Sequence, residues 1–332
     1  MMLRDLLRLA QLLVRLWRRA SPPIGDGTYH GTGPQGICFD CYQPRAGVRN
    51  TIIALHGCTL NGKDDPRLQH LARCLAASGS RCIVPTLPGL SRFQWEPSDI
   101  DALVDFMLQL PGGENSIGLM GFSYGGSYAL LAAAHPRVAA RIKFVLSFGA
   151  YYTLDDLSRD HLTFTRSIPQ RADDQDSWIY MQLVLAWRHA ARIGLPDDIY
   201  CRLTDLLKRY CHASTPAEKH AFYHRHLSHV RLGDLERATL DDIRRRQLSL
   251  AGRLGGLECP VKLLHGAGDP LVSAAHARSI ARELAAEGKD HRILITDLLD
   301  HVTPTMVFNL VKWYRLAANL RPLVQVFPEE AK

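Results

Sequence analysis

The stretch Gly121-Phe122-Ser123-Tyr124-Gly125-Gly126 restricts what this chain can fold into more than any other. Ahead of it, residues 116–120 are a short apolar run with the length of a buried strand. Behind it, residues 127–134 are small and apolar and suit a helix. A strand that turns into a helix within one residue forces that residue, Ser123, into a strained backbone conformation. Side chains at Gly121 or Gly125 would collide with the adjoining strand or helix, so the turn calls for glycine on both sides. The strain lifts the Ser123 hydroxyl clear of the sheet. The first amides of the following helix face any anion that forms beside it. A serine displayed in this way is a candidate nucleophile.

The surroundings repeat strand and helix. Residues 37–42, 50–56, 81–85 and 143–148 read as strands, and 51–55 are nearly all apolar, as in a strand covered on both faces. Residues 65–78 carry an apolar stripe of Leu68, Leu71, Ala72 and Leu75. Residues 97–110 carry one of Ile100, Leu103, Val104, Met107 and Leu108. This alternation predicts an α/β fold with a doubly wound, mostly parallel sheet. Tyr151 and Tyr152 leave the carboxyl end of a strand, where open α/β sheets bind ligands. They are candidate substrate-binding residues, with ordinary loop packing as the other reading.

Further along, residues 260–265 form a strand pattern that ends in the loop Gly266-Ala267-Gly268-Asp269-Pro270. Residues 293–296 form another, followed by Asp297-Leu298-Leu299-Asp300-His301-Val302-Thr303-Pro304. Upstream lies Leu55-His56-Gly57-Cys58. With these four features the chain resembles an α/β-hydrolase, in particular a bacterial serine esterase or dienelactone-hydrolase-like member with a helical cap insertion. The resemblance covers about residues 36–151 and 256–318. It implies a triad of Ser123, Asp269 and His301 in family order, with the backbone N–H groups of Cys58 and Tyr124 as oxyanion donors. Asp300 and Asp297 are competing acids; Asp300 adjoins His301 and would need a contorted turn to face its ring. A serine at the elbow departs from dienelactone hydrolases proper, which use cysteine, and from dehalogenases and epoxide hydrolases of this fold, which use aspartate.

Between about residues 153 and 256 the pattern changes to four or five helix signals with no strand signal. Among them are 177–192, 196–210 and 239–254, together with Thr215-Pro216-Ala217-Glu218, a capping box with proline at the first helical position. A helical block at this place in an α/β-hydrolase is a cap, which excludes water and shapes the pocket. The expected organisation is therefore an N-terminal amphipathic helix (1–22), a core (23–152 and 256–320), an all-helical cap (153–255) and a C-terminal tail (321–332). The cap holds His212, His220, His224, His226 and His229. His220 and His224 share a helix face, but no carboxylate or cysteine completes a ligand set, so a solvated polar face is the expectation and no metal or cofactor is assigned. Cys38 and Cys41 lie on a strand, where their spacing sends them to opposite faces, unlike a zinc or redox pair.

The chain has 332 residues and a net charge of +7, enough length for one large domain with an insertion. Residues 1–20 carry five arginines and one aspartate, four of the seven net charges. The three that remain are spread too thinly for a nucleic-acid surface. In residues 1–20 the arginines fall in one sector. Leu3, Leu6, Leu7, Leu13, Val14 and Trp17 fall opposite, widened by Leu9, Leu12 and Leu16. Arginine interrupts the segment too often for a spanning helix or the apolar core of a signal peptide, and a mitochondrial presequence is a lesser reading. Two readings stand: the helix lies on an anionic membrane surface, or it docks on its own domain or on a second subunit. The dispersed cysteines suit a reducing, cytoplasmic setting.

The expected chemistry is cleavage of a small-molecule or lipid-like carboxylic ester through an acyl-enzyme. An acyltransferase or thioesterase would use the same residues. A non-catalytic, membrane-associated binding protein on a hydrolase fold is a distant alternative, opposed by the intact set.

Overall fold

A computed structural model describes residues 3–17, 28–110, 117–165, 168–169, 172–209, 215–230, 242–301, 303–304 and 310–324. Its centre is a sheet in the order β1-β2-β4-β3-β5-β6-β7-β8. The strands are β1 (Thr28–Thr32), β2 (Cys38–Tyr42), β3 (Thr51–Leu55), β4 (Arg81–Pro85), β5 (Ile117–Phe122), β6 (Ile142–Phe148), β7 (Val261–Gly266) and β8 (His291–Thr296). From β4 to β8 neighbouring strands run parallel, while β1 and β2 are antiparallel additions at one edge. β1 was not expected: Thr28-Tyr29-His30-Gly31-Thr32 lacks an apolar run, and its exposed positions show why pairing along β2, rather than burial, makes it a strand.

Alternation along the central strands feeds two cores. Ile53 and Leu55 of β3 belong to one apolar layer, Ile52 and Ala54 to the other, and all four are fully buried. The first layer packs α3 (Ser98–Leu108), α4 (Tyr124–Ala133) and α10 (Ala274–Ala286) through residues such as Leu103, Tyr128 and Ile280. The second packs α1 (Leu3–Trp17), α2 (Pro66–Ala77) and α11 (Leu310–Leu320) through Leu12, Leu75 and Leu316.

The N-terminal helix is thus part of this core. Leu9 and Leu12 are buried in the second layer, and Leu13 and Leu16 pack against it. Arg15 donates through Nη1 to Ala77 O at 2.9 Å and to Ser78 Oγ at 3.0 Å. An arginine of the basic sector therefore sits at the carboxyl end of α2, where a cation is favourable. Val14, read with the apolar face, is exposed. Leucines held this way cannot enter a bilayer while the helix keeps its place. Among the described residues no helix is long and apolar enough to cross a membrane.

Between β6 and β7 the described residues form α5 (Leu154–Thr165), α6 (Ala172–Arg188), α7 (Asp197–Arg209), α8 (Pro216–His226) and α9 (Asp242–Leu248). Trp178, Leu185, Leu203, Leu206, Phe222 and Tyr223 make a third apolar cluster from α6, α7 and α8. The Thr215 box begins α8: Thr215 Oγ1 accepts from Glu218 N at 3.2 Å, and Thr215 N donates to Glu218 Oε2 at 2.8 Å. The buried Lys219 ammonium pairs with Asp176 at 2.6 Å, tying α8 to α6. The helix expected over 239–254 is shorter. Its first residues lie outside the described set, and after Leu248 the chain turns, with Gly252 at φ 71°. His212, Pro22-Pro23 and residues 325–332 also lie outside it.

Candidate active site

β4 and β5 flank β3, so the connections leaving β3 and β5 diverge and open a crevice at the carboxyl edge of the sheet. Ser123 stands in that crevice between β5 and α4, with φ 54° and ψ −125°, the strained turn expected from its glycine-flanked sequence. Its N–H donates to Phe148 O of β6 at 2.7 Å, which anchors the turn. The side chain stays partly exposed.

The loop after β3 passes beside the serine. A Cβ on Gly57 would lie 3.0 Å from Ser123 Cβ and 3.0 Å from Phe122 O, a contact so tight that the loop and the elbow would have to shift apart. His56, buried, accepts Leu87 N–H at Nε2 (2.9 Å), which leaves Nδ1 to donate to Gly57 O at 2.7 Å. Burial lowers the His56 pKa and keeps the ring neutral. The bond fixes the peptide plane whose other end is Cys58 N–H and turns that N–H away from His56. Burial pushes the Cys58 thiol up to about 12, against the influence of Trp95 and Arg188, so it is no second nucleophile.

Two strands further on, β7 ends at Gly266 and the chain forms a tight turn through Asp269. Asp269 Oδ1 accepts Leu271 N and Val272 N, each at 2.9 Å. Asp269 Oδ2 meets His301 Nδ1 at 2.6 Å. His301 lies at the bend between Asp300 and Thr303, which pair antiparallel, and has φ 48°. It comes close because Gly266 is bare: a Cβ there would sit 3.2 Å from His301 N. Burial would raise the Asp269 carboxyl, but the His301 ring and the His265 side chain outweigh it and hold it well below the usual carboxylate range. Of the competing acids, Asp297 is exposed and paired with Lys312 at 2.5 Å. The side chain of Asp300 lies outside the described residues.

Tyr151 and Tyr152 both make hydrogen bonds within the fold. Tyr151 is fully buried, its hydroxyl bonded to Leu248 O at 2.8 Å and its ring 5.0 Å from that of Tyr124. Tyr152 turns to α10 and donates to Glu283 Oε2 at 2.8 Å. Both hydroxyls are engaged in packing, which is the other reading given for them above. Two residues not singled out in the sequence pack beside Tyr124. Trp95 stacks on Tyr124 at 5.6 Å and 10°, and the Arg188 guanidinium from the end of α6 covers Trp95 at 3.9 Å. Cys58, Leu60 and Leu271 pack against the apolar cluster of α6, α7 and α8, so that cluster lies over the loops from β3 and β7. On α8, His220 and His224 lie with ring centres 6.4 Å apart, and no group of three or more metal-ligating side chains forms among the described residues.

A strained serine, a buried carboxylate bonded to histidine and a glycine-passed loop, all on the carboxyl edge of a mostly parallel sheet, define the class of α/β enzymes that perform hydrolysis. Family comparison agrees: the sequence model of the alpha/beta hydrolase family matches residues 52–307, and the chain belongs to that family. Among solved structures it is similar to a proline iminopeptidase of Mycobacterium smegmatis, with 16% identity, 90% of this chain and 97% of that one covered, and a TM-score of 0.52. It is also similar to an esterase of Pyrococcus furiosus, with 13% identity, 92% and 97% covered, and a TM-score of 0.52. At such identities the likeness is one of fold. An acylaminoacyl peptidase is 14% identical with a TM-score of 0.49 over 82% of this chain, which spans 37% of that enzyme's length. No curated protein matches the sequence.

Proposed function

We propose that this hydrolase cleaves a carboxylic ester through an acyl-enzyme on Ser123. The observation that carries the reading is the 2.6 Å contact between His301 Nδ1 and the buried Asp269 Oδ2, on the sheet edge that displays the strained Ser123. Asp269 accepts a hydrogen bond from His301 Nδ1–H, which leaves Nε2 with its lone pair. Nε2 takes the Ser123 proton as Oγ attacks the ester carbonyl, and Asp269 stabilises the imidazolium that results. The amides of Cys58 and Tyr124 hold the oxyanion, each worth about 3 kcal/mol in such sites. His301 then protonates the leaving alcohol and later activates the water that frees the acid. The helices α5–α9 serve as the cap, and the aromatic cluster around Trp178 and Tyr223 favours an apolar, small-molecule or lipid-like acyl group.

The test is labelling by a fluorophosphonate together with turnover of p-nitrophenyl esters of graded chain length, run beside acyl thioesters and aminoacyl amides. The wild-type protein should label and prefer esters. Ser123→Ala should not label and should keep less than about a thousandth of the rate. A labelled Ser123→Ala protein would remove Ser123 from the mechanism, and a preference for amides or thioesters would replace the ester assignment.

A further inference from the structure

Asp269 faces a second histidine. His265, at the penultimate position of β7, is 1% exposed and places Nε2 2.7 Å from Val272 O and 3.4 Å from Asp269 Oδ2. A carbonyl oxygen only accepts, so the short contact puts a proton on Nε2. That proton lies between the carbonyl that closes the Asp269–Val272 turn and the carboxylate oxygen that receives His301. The other carboxylate oxygen is occupied by the amides of Leu271 and Val272. The buried His161 of α5 meets Leu271 O at 2.9 Å, so successive carbonyls of the turn are each held by an imidazole.

We propose that His265 is a positioning residue for the acid, sharing its Nε2–H between Val272 O and Asp269 Oδ2 so that Oδ2 stays aimed at His301. The proposal rests on reading Ser123, His301 and Asp269 as the triad. A histidine that merely filled space in the core would have no need to direct its proton at this turn. The Asp269 and His265 side chains are 0% and 1% exposed, so water cannot replace a lost donor. The groups that face His265 are Asp269 and, through it, His301, together with His276 on α10, which in turn meets Asp160 of α5 at 3.3 Å.

The direction of the effect follows from charge. In the wild type His265 N–H takes up part of the Asp269 charge. Without it the whole charge faces His301, the imidazolium is favoured, and the acid limb of kcat/KM moves to higher pH. His265→Phe fills the space without a donor, and His265→Gln keeps an N–H. On a soluble ester, His265→Phe should lower kcat by about 10- to 100-fold with KM little changed, a size taken from the loss of hydrogen-bond partners that orient metal-ligating side chains. Its acid limb should rise by about half a unit or more. His265→Gln should return kcat to within about threefold of wild type and restore the limb. A folded His265→Phe protein with wild-type kcat and limb would overturn the proposal. So would a loss of rate with an unmoved limb and no recovery in His265→Gln, which is the signature of fold support alone. A further arm uses the wild-type protein and needs no variant to fold: histidine ¹⁵N NMR should find Nε2 of His265 protonated from pH 6 to 9, and an unprotonated Nε2 refutes the arrangement. Failure of the triad reading itself looks different, because wild-type protein would then resist the fluorophosphonate.

Discussion

Replacing Asp269 by Asn preserves the shape of the acid and removes its charge. The amide oxygen can stay where Oδ1 is and keep both 2.9 Å bonds from Leu271 N and Val272 N, so the turn should survive. The amide nitrogen then takes the place of Oδ2 and points a donor at His301 Nδ1, 2.6 Å away in the wild type. His301 must answer with an acceptor at Nδ1 and carry its proton on Nε2, where it cannot take one from Ser123. A wrong tautomer of this kind costs on the order of 10⁴ in kcat, or about 5 kcal/mol of barrier. The assay is kcat on a soluble p-nitrophenyl ester, with Asp300→Asn as comparator and a thermal melt of each protein. Because the folded Asp269 carboxyl lies below its unfolded value near 4, its pairing stabilises the protein above about pH 4, and that contribution fades as the pH falls through the folded value. The melting difference between wild type and Asp269→Asn should shrink on acidification accordingly. A loss of less than about tenfold in Asp269→Asn, or a larger loss in Asp300→Asn, would show that the acid is assigned wrongly.

Two further outcomes test the scaffold. Leu12 of α1 is fully buried, so Leu12→Ala should cost about 2–5 kcal/mol and lower the melting temperature while leaving co-sedimentation with anionic vesicles unchanged; an unchanged melt with lost sedimentation would favour the membrane reading of this helix. Burial raises the Asp99 carboxyl to about 6, against its bonds from Gly89 N and Leu90 N, so the stability it contributes is full below about pH 4 and lost as the pH rises through about 6. Asp99→Asn should therefore gain on wild type in melting temperature between those pH values, and a constant gap would refute the assignment.

Much of the candidate site is written in local sequence. The positive φ of Ser123 follows from a strand meeting a helix within one residue, and its neighbours Gly121 and Gly125 announce it. The buried strands announce themselves by apolar runs, and the order of elements around them leaves little choice but a mostly parallel sheet. Asp269 and His301 were named from the resemblance to α/β-hydrolases, each in a loop that follows a strand pattern, and the structure sets Asp269 Oδ2 2.6 Å from His301 Nδ1. In each case the physics acts over a few residues: backbone sterics, alternation across a strand, and the length of a turn.

What the tertiary structure alone decided concerns partners distant in the chain. An amphipathic helix suits a bilayer and a protein groove equally well, because burial does not distinguish one apolar environment from another. Only the assembled faces of α2 and α11 show where Leu9 and Leu12 are buried, and only the end of α2 gives Arg15 its acceptors. Tyr151 and Tyr152 leave a strand at the expected edge, but their hydroxyls find Leu248 O and Glu283, 97 and 131 residues away, and that draws them into packing. Trp95 is drawn beside the elbow by stacking on Tyr124 beneath Arg188. His265 looks in sequence like any residue near the end of a strand. Its relation to the acid exists because the loop after β7 folds back over that strand's end, bringing Val272 O and Asp269 Oδ2 to one imidazole nitrogen.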